Sequence, residues 1–90
     1  MVTRRVTVAS RVGLHARPAA MFVKVAAAAP GPVRIAVDGG TPVDARSILA
    51  VLGLGVAQGQ EVEISAEGEK AAATLDALEA VLVTDHDTRG

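Results

Sequence analysis

Residues Glu61 to Ala66 alternate strictly between polar and apolar side chains, which predicts a β-strand with one buried face. Val62 and Ile64 lie on the predicted buried side. A sheet with one apolar face is covered by helices that carry an apolar stripe. This stretch therefore predicts a layer of helices packed on one side of a sheet.

Six further stretches complete the predicted order β-α-β-β-α-β-α. They are strands at Val2–Ala9, Val33–Val37 and Thr41–Val43, and helices at about Ala16–Ala29, Ser47–Leu54 and Glu69–Val83. The prolines of Pro30-Gly31-Pro32 end the first helix. Asp38-Gly39-Gly40 predicts a hairpin, and Pro42 favours an edge strand because proline donates no ladder hydrogen bond. The chain is predicted to form one α/β domain over residues 1–90, a two-layer sandwich. Periodicity alone does not determine the order of its strands.

Two apolar stripes, at Ala19, Phe22, Val23 and Ala26 and at Ala71, Leu75, Leu78 and Leu82, would cover the sheet. The 90 residues include one Phe and no Trp, Tyr or Cys, so aliphatic side chains must form the core and disulfides are excluded. The net charge of −1 favours neither nucleic acid nor acidic membranes as partners. Without a signal peptide or membrane span, we expect a cytoplasmic protein whose tail, residues 84–90, frays.

The segment from Gly13 to Ala20 is the candidate functional site. Pro18 suits the first turn of a helix, so His15 would lie at or next to the N-cap. Unpaired backbone N–H groups and the positive end of the helix dipole favour an anion there. Arg17 adds a guanidinium that can hold two phosphate oxygens, and imidazole is a good nucleophile. The combination predicts a histidine that carries a phosphoryl group.

Gly13-Leu14-His15-Ala16-Arg17-Pro18-Ala19 resembles the active-site signature of HPr, the histidine phosphocarrier family of the bacterial sugar phosphotransferase system. Arg46-Ser47-Ile48-Leu49 resembles the family's second signature. Gly53-Leu54-Gly55 and the stretch from Ile64 to Gly68 match further family segments. The resemblance runs from about Val6 to Leu82 and implies an open-faced sandwich, in which a four-stranded antiparallel sheet carries three helices on one face.

The resemblance also implies the chemistry. His15 would accept a phosphoryl group on Nδ1 from phosphorylated enzyme I and pass it to a histidine of an enzyme IIA domain. Arg17 and the N–H groups near Ala16 and Arg17 would stabilise the transferring phosphate. The chain would then be a carrier within a phosphotransferase relay rather than a stand-alone enzyme, and it would use neither a cofactor nor a metal.

Ser47 is predicted to cap the second helix, a stabilising role that serines commonly have. In some HPr proteins the matching serine is phosphorylated by a dedicated kinase, so regulation by an HPr serine kinase is the second expectation for this residue. A phosphate at a helix N-terminus is electrostatically tolerable.

An apolar docking surface with a basic rim is expected beside His15, and it would receive both enzyme I and enzyme IIA. Its proposed members are Ala16, Ala20, Met21, Ile48, Leu49, Leu52 and Leu54, with Arg17 and Lys24 on the rim. The leucines have an alternative role in the core. Two positions depart from the family pattern: Val12 replaces a small polar residue, and Ala27 stands where a lysine is often found. These departures bear on partner affinity and on the stability of the phosphorylated form.

Other readings stay open at this stage. A paralogous carrier of a nitrogen-related or dihydroxyacetone kinase relay would use the same chemistry with a different enzyme I-like donor. A regulatory binding domain would carry no phosphate, which His15 argues against. His86 has no helper residues, and the two histidines lack metal-ligand spacing. We expect a monomer.

Overall fold

The structure is a computed structural model that describes residues 1–9 and 16–84. It contains seven elements in the predicted order. They are β1 (Val2–Thr7), α1 (Ala16–Ala27), β2 (Val33–Val37), β3 (Val43–Asp44), α2 (Ile48–Gly53), β4 (Glu61–Ala66) and α3 (Ala71–Val83).

The strands form one four-stranded antiparallel sheet in the order β1-β4-β2-β3. In the inner strands, Ile64 of β4 pairs with Ile35 of β2 on one side and with Arg4 of β1 on the other. The short strand β3 lies at one edge, as Pro42 indicated, although Pro42 itself precedes the strand. The antiparallel open sheet and its three helices confirm the predicted fold class.

The core lies between the sheet and the helices. Val62 and Ile64 are fully buried, as their alternation predicted. The stripe of α3 is buried as well, at Ala71, Leu75, Leu78 and Leu82, and α3 packs against β1 and β4. Phe22 of α1 is also fully buried, and α1 contacts both α3 and α2. Every side chain in this core is therefore aliphatic except Phe22.

The opposite face of the sheet carries polar side chains. Glu61, Glu63 and Ser65 of β4 are half-buried and alternate with the fully or nearly fully buried residues of the same strand. Arg5 of β1 lies across from Glu63, and Arg34 of β2 lies across from Ser65. We call this surface the open sheet face.

Several element ends differ from the predicted ones. Helix α1 ends at Ala27, and the N–H of Ala29 donates to the Ala26 carbonyl at 3.2 Å, a tighter turn than an α-helix has. Helix α3 begins at Ala71 rather than Glu69, after a turn in which the Ala71 N–H donates to the Gly68 carbonyl. Val2, the first residue of β1, is 42% exposed. The expectation of a fraying tail over residues 84–90 falls outside the described residues except at Thr84.

Candidate functional site

The structure begins α1 at Ala16, so the predicted helix start is confirmed. Its first turn contains no acidic residue that would occupy the positive end of the dipole. Pro18 is buried and Arg17 is exposed in this turn. His15 precedes Ala16 in the sequence and lies outside the described residues, as do Val12 and Gly13. The structure thus defines the start of the helix that follows the predicted nucleophile in the sequence.

Arg17 has no ion-pair partner among the described residues. The ion pairs among residues 1–9 and 16–84 involve Arg4, Arg5 and Arg46, and Arg17 belongs to none of them. Lys24, in the last turn of α1, is exposed and likewise outside these pairs. Both cations therefore lie on α1 without a neutralising carboxylate from the described part of the chain.

Ser47 caps α2, as predicted. Its backbone is extended, with φ −103° and ψ 114°, and its Oγ accepts a hydrogen bond from the Ala50 N–H at 3.2 Å. The Ser47 N–H donates in turn to the Asp44 carbonyl at 3.1 Å. The side chain is half-buried and holds the first turn of the helix in place.

Asp44 and Arg46 shape the approach to α2. The Asp44 Oδ1 accepts hydrogen bonds from the Arg46 backbone N–H at 2.9 Å and from Arg46 Nε at 3.2 Å. These bonds, the backbone one foremost, lower the pKa of Asp44 below its ordinary value. The contact with Nε holds the Arg46 side chain close to Asp44 of β3.

Helices α1 and α2 pack against each other and expose large apolar side chains. The exposed fractions are 41% for Met21 on α1 and 37%, 81% and 38% for Ile48, Leu49 and Leu52 on α2. Ala20 and Lys24 are also exposed. We call these six residues the α1–α2 surface.

Of the two remaining proposed members of the docking surface, one packs against the core and the other has a side chain outside the described ones. Leu54 is half-buried and packs against the hydrophobic core, which is the alternative role foreseen for the leucines. Ala16 lies at the start of α1, and the orientation of its side chain is outside the description. Ala27, the position where the family often has lysine, is exposed near the end of α1.

The structure adds anchors that sequence reasoning missed. The N–H of Ala9 donates to the Leu82 carbonyl at 3.0 Å, and Gln58 Nε2 donates to the Ala9 carbonyl at 3.3 Å. The chain is therefore fixed immediately before the segment that leads to His15. These partners are distant in sequence and carry no local motif, so the linear sequence offers no signal for them.

Within residues 1–9 and 16–84, no group of three or more acidic, histidine or cysteine side chains is placed to hold a metal ion. Among the helices in this part of the chain, none has the length and apolar character needed to cross a membrane.

The first turn of α1 has no acidic residue, Arg17 is outside the ion pairs of residues 1–9 and 16–84, and α1 and α2 expose apolar side chains. These features are typical of a small domain that presents a group to other proteins. Comparison with known proteins gives the family. Residues 2–84 match the family model PTS-HPr, described as "PTS HPr component phosphorylation site". The chain belongs to the HPr family, the phosphocarrier proteins of the phosphotransferase system.

Individual relatives agree with this assignment. The chain is 50% identical over 78 residues to the phosphocarrier protein HPr of Streptomyces coelicolor, a match that covers 87% of this chain and 84% of the relative. It is 48% identical over 82 residues to the Haloferax volcanii phosphocarrier protein HPr, covering 90% and 92%. The crystal structure of an HPr from Bacillus anthracis superposes with a TM-score of 0.84 at 38% identity, covering 90% of this chain and 95% of that one.

Proposed function

We propose that His15 accepts a phosphoryl group from phosphorylated enzyme I and passes it to an enzyme IIA domain in sugar uptake. In the first step the lone pair of His15 Nδ1 attacks phosphorus, and the bond between phosphorus and the donor breaks. In the second step an acceptor histidine attacks, and the bond to His15 breaks. Donor and acceptor sites both lie on partners, so the chain acts as a carrier rather than as a complete enzyme.

The observation that carries the proposal is the position of Arg17. It lies in the first turn of α1, exposed, and none of the ion pairs in the described residues includes it. Arginine at a helix N-terminus is unfavourable to the dipole unless an anion is present. Phosphoryl transfer depends mainly on alignment and on stabilising charge, and Arg17 with the first-turn N–H groups of Ala16 and Arg17 supplies the latter.

The α1–α2 surface supports docking of both partners. Leu49 is a large apolar residue, yet 81% of its surface is exposed. Contact between this apolar surface and water is unfavourable unless a partner covers it. Lys24 and Arg17 add positive charge on α1. A small apolar surface with a basic rim suits brief complexes with acidic partners, because long-range attraction speeds association without requiring a large buried area.

Ser47 gives the proposal a regulatory part. It begins α2, whose exposed side chains form half of the α1–α2 surface, so a phosphate on its Oγ would place negative charge beside that surface. The same phosphate would replace the hydroxyl that caps Ala50. Phosphorylation by an HPr serine kinase would therefore weaken docking of acidic partners.

The test is intact-mass analysis of the full chain after incubation with phosphoenolpyruvate and purified enzyme I. The wild type should gain one acid-labile phosphate, His15→Ala should gain none, and His86→Ala, a matched control at the other histidine, should gain one. Addition of a purified enzyme IIA should then remove the phosphate from the wild type.

Two outcomes would contradict the proposal. A folded wild type that gains no phosphate beside an active enzyme I would exclude the sugar pathway and favour a paralogous relay or a binding-only domain. A phosphate retained by His15→Ala would place the carrier residue elsewhere. The expected monomer stays a prediction, which sedimentation of the unphosphorylated chain would check.

A further inference from the structure

A cavity of about 220 Å³ opens where β2 meets β3. Its lining residues are Pro32, Val33, Arg34, Asp44 and Arg46. They belong to β2, to β3 and to the segments next to those strands, and none belongs to α1. The cavity is therefore separate from the helix start assigned to His15, and the proposed carrier function makes no use of it.

Two guanidinium groups line this cavity. Arg34 faces Asp44 across the β2–β3 pair and Ser65 across the β2–β4 pair, which places a hydroxyl on its other side. No ion pair within residues 1–9 and 16–84 includes Arg34, although its charge contributes to holding the pKa of Asp44 down. Its five N–H donors lack a carboxylate partner in this part of the chain.

Asp44 orients the Arg46 side chain but accepts only one of its side-chain donors. Asp44 Oδ1 binds Arg46 through Nε at 3.2 Å, which leaves the terminal Nη donors of Arg46 without an acceptor among the described residues. The same Oδ1 also accepts the Arg46 backbone N–H, so one carboxylate oxygen holds both the backbone and the side chain of Arg46. Two cations against one anion leave the cavity with a net charge of +1.

Arg5, on the same open sheet face, has carboxylate partners and so has few donors left for an anion. Its Nη1 lies 3.2 Å from Asp38 and 3.3 Å from Glu61, and its Nε lies 4.0 Å from Glu63. Three carboxylates surround this one guanidinium. The cation excess of the face is thus confined to the end of the sheet that holds Arg34 and Arg46.

We propose that the cavity lined by Arg34 and Arg46 binds a phosphate group, either inorganic phosphate or a small phosphate monoester. Guanidinium groups match phosphate oxygens with paired hydrogen bonds, and two arginines that meet at one cavity can share a dianion. The cavity volume is several times the roughly 30 Å³ share of one liquid water molecule, so it has room for the oxyanion. Its charged residues Arg34, Asp44 and Arg46 are exposed, so binding is weak and falls as salt rises.

The test follows backbone amide and arginine side-chain signals by NMR while the full chain is titrated with inorganic phosphate, and separately with glycerol phosphate, at constant ionic strength. Signals of Val33, Asp44 and the two guanidinium groups should shift and saturate. Arg34→Gln should raise the dissociation constant at these signals by about fivefold or more, since it removes charged donors. Arg5→Gln, the control on the same face, should change it less than about twofold.

Asp44→Asn gives a test of opposite sign. The amide keeps an acceptor oxygen for Arg46 but removes the negative charge, so phosphate should bind about twofold to fivefold more tightly.

The two anions identify the ligand. If the wild type binds glycerol phosphate more tightly than inorganic phosphate, the ligand is a monoester, and if it binds glycerol phosphate equally or more weakly, the ligand is free phosphate. The proposal is overturned if the cavity signals do not saturate with either anion, or if Arg34→Gln and Arg5→Gln behave alike. Phosphate bound at the start of α1 shifts the signals of Ala16 and Arg17 instead, so failure of one site is distinguishable from failure of the other.

Discussion

The α1–α2 surface and the open sheet face treat their cations in opposite ways. On the sheet, Arg5 is surrounded by Asp38, Glu61 and Glu63. On α1, Arg17 and Lys24 are exposed and take part in none of the ion pairs found in residues 1–9 and 16–84. The two surfaces also differ in polarity. The open sheet face carries polar side chains, whereas α1 and α2 expose large apolar ones such as Met21 and Leu49.

This difference distinguishes charges that are paired within the protein from charges that can bind an anionic partner. An exposed ion pair contributes little to stability, but it neutralises a face and prevents unwanted association. An unpaired cation beside apolar surface has no such internal purpose and attracts an anionic partner. This pattern supports the proposal that partners dock on the helical side, whereas the open sheet face is largely neutral except at the Arg34–Arg46 cavity.

The largest expected effect distinguishes two arginines. Arg17→Gln should slow phosphate transfer from enzyme I to His15 by at least about tenfold, because under the proposed function it removes the side chain that stabilises the transferring group. Arg5→Gln, with its guanidinium already bound by carboxylates, should transfer at the wild-type rate. Quenched-flow mass spectrometry of both variants measures this. Equal rates for the two variants would break the comparison between the surfaces.

Neighbouring residues of α2 should separate docking from stability. Leu49→Ser changes a side chain that is 81% exposed, so the free energy of unfolding should change by less than about 0.5 kcal/mol. Its affinity for enzyme I should fall about tenfold or more. Val51→Ala removes buried methyl groups and should cost on the order of 1–3 kcal/mol. Urea unfolding and calorimetric titration measure the two quantities, and a destabilised Leu49→Ser would place that leucine in the core.

Ser47 offers a smaller and more specific contrast. Ser47→Ala removes the acceptor for the Ala50 N–H and should destabilise the protein by about 1 kcal/mol. Ser47→Asp also caps helices well, so its stability should stay near that of the wild type. The added negative charge should nevertheless weaken enzyme I binding, while Ser47→Ala leaves binding unchanged. If both variants bind as the wild type does, charge at Ser47 does not regulate docking.

Local patterns predicted most of this fold because each element carries its own signal. The strict alternation from Glu61 gave β4 its bounds, and the serine at Ser47 gave α2 its start. Helix ends were less predictable, since Ala28 and Ala29 favour helix as strongly as the residues before them. Helix α1 ends at Ala27, shortly before Pro30, which disfavours helical backbone at Ala29 and cannot donate to the Ala26 carbonyl.

The candidate site was predictable to a different degree. Glycine, histidine, arginine and proline at fixed spacing identified the start of α1, and the resemblance supplied its chemistry. The cavity between β2 and β3 was not predictable, because Arg34 and Arg46 meet only through strand register. The roles of leucines were likewise ambiguous: the sequence places Leu49 and Leu54 on one short stretch, and only packing shows that the first is exposed and the second lies against the core.

The smallest expected effect concerns the acid stability of the segment between β3 and α2. Hydrogen bonds from Arg46 lower the pKa of Asp44 from its ordinary value of 3.8, with the backbone N–H as the larger cause. A carboxyl whose pKa is lower in the folded state stabilises the fold above its unfolded pKa, and this contribution is lost as the pH falls through the folded pKa. The wild type should therefore lose slightly more stability below about pH 4 than Asp44→Asn does.

Arg46→Gln sharpens that test because it removes the side-chain bond and leaves the backbone one. Urea midpoints measured from pH 6 to pH 2 should show that Arg46→Gln keeps most of the wild-type pH dependence, whereas Asp44→Asn loses this part of it. If Arg46→Gln loses as much as Asp44→Asn, the guanidinium rather than the backbone N–H holds the carboxylate. Arg46 would then be fully engaged by Asp44, and the contrast between a saturated Arg5 and an available Arg46 would fail at the same time.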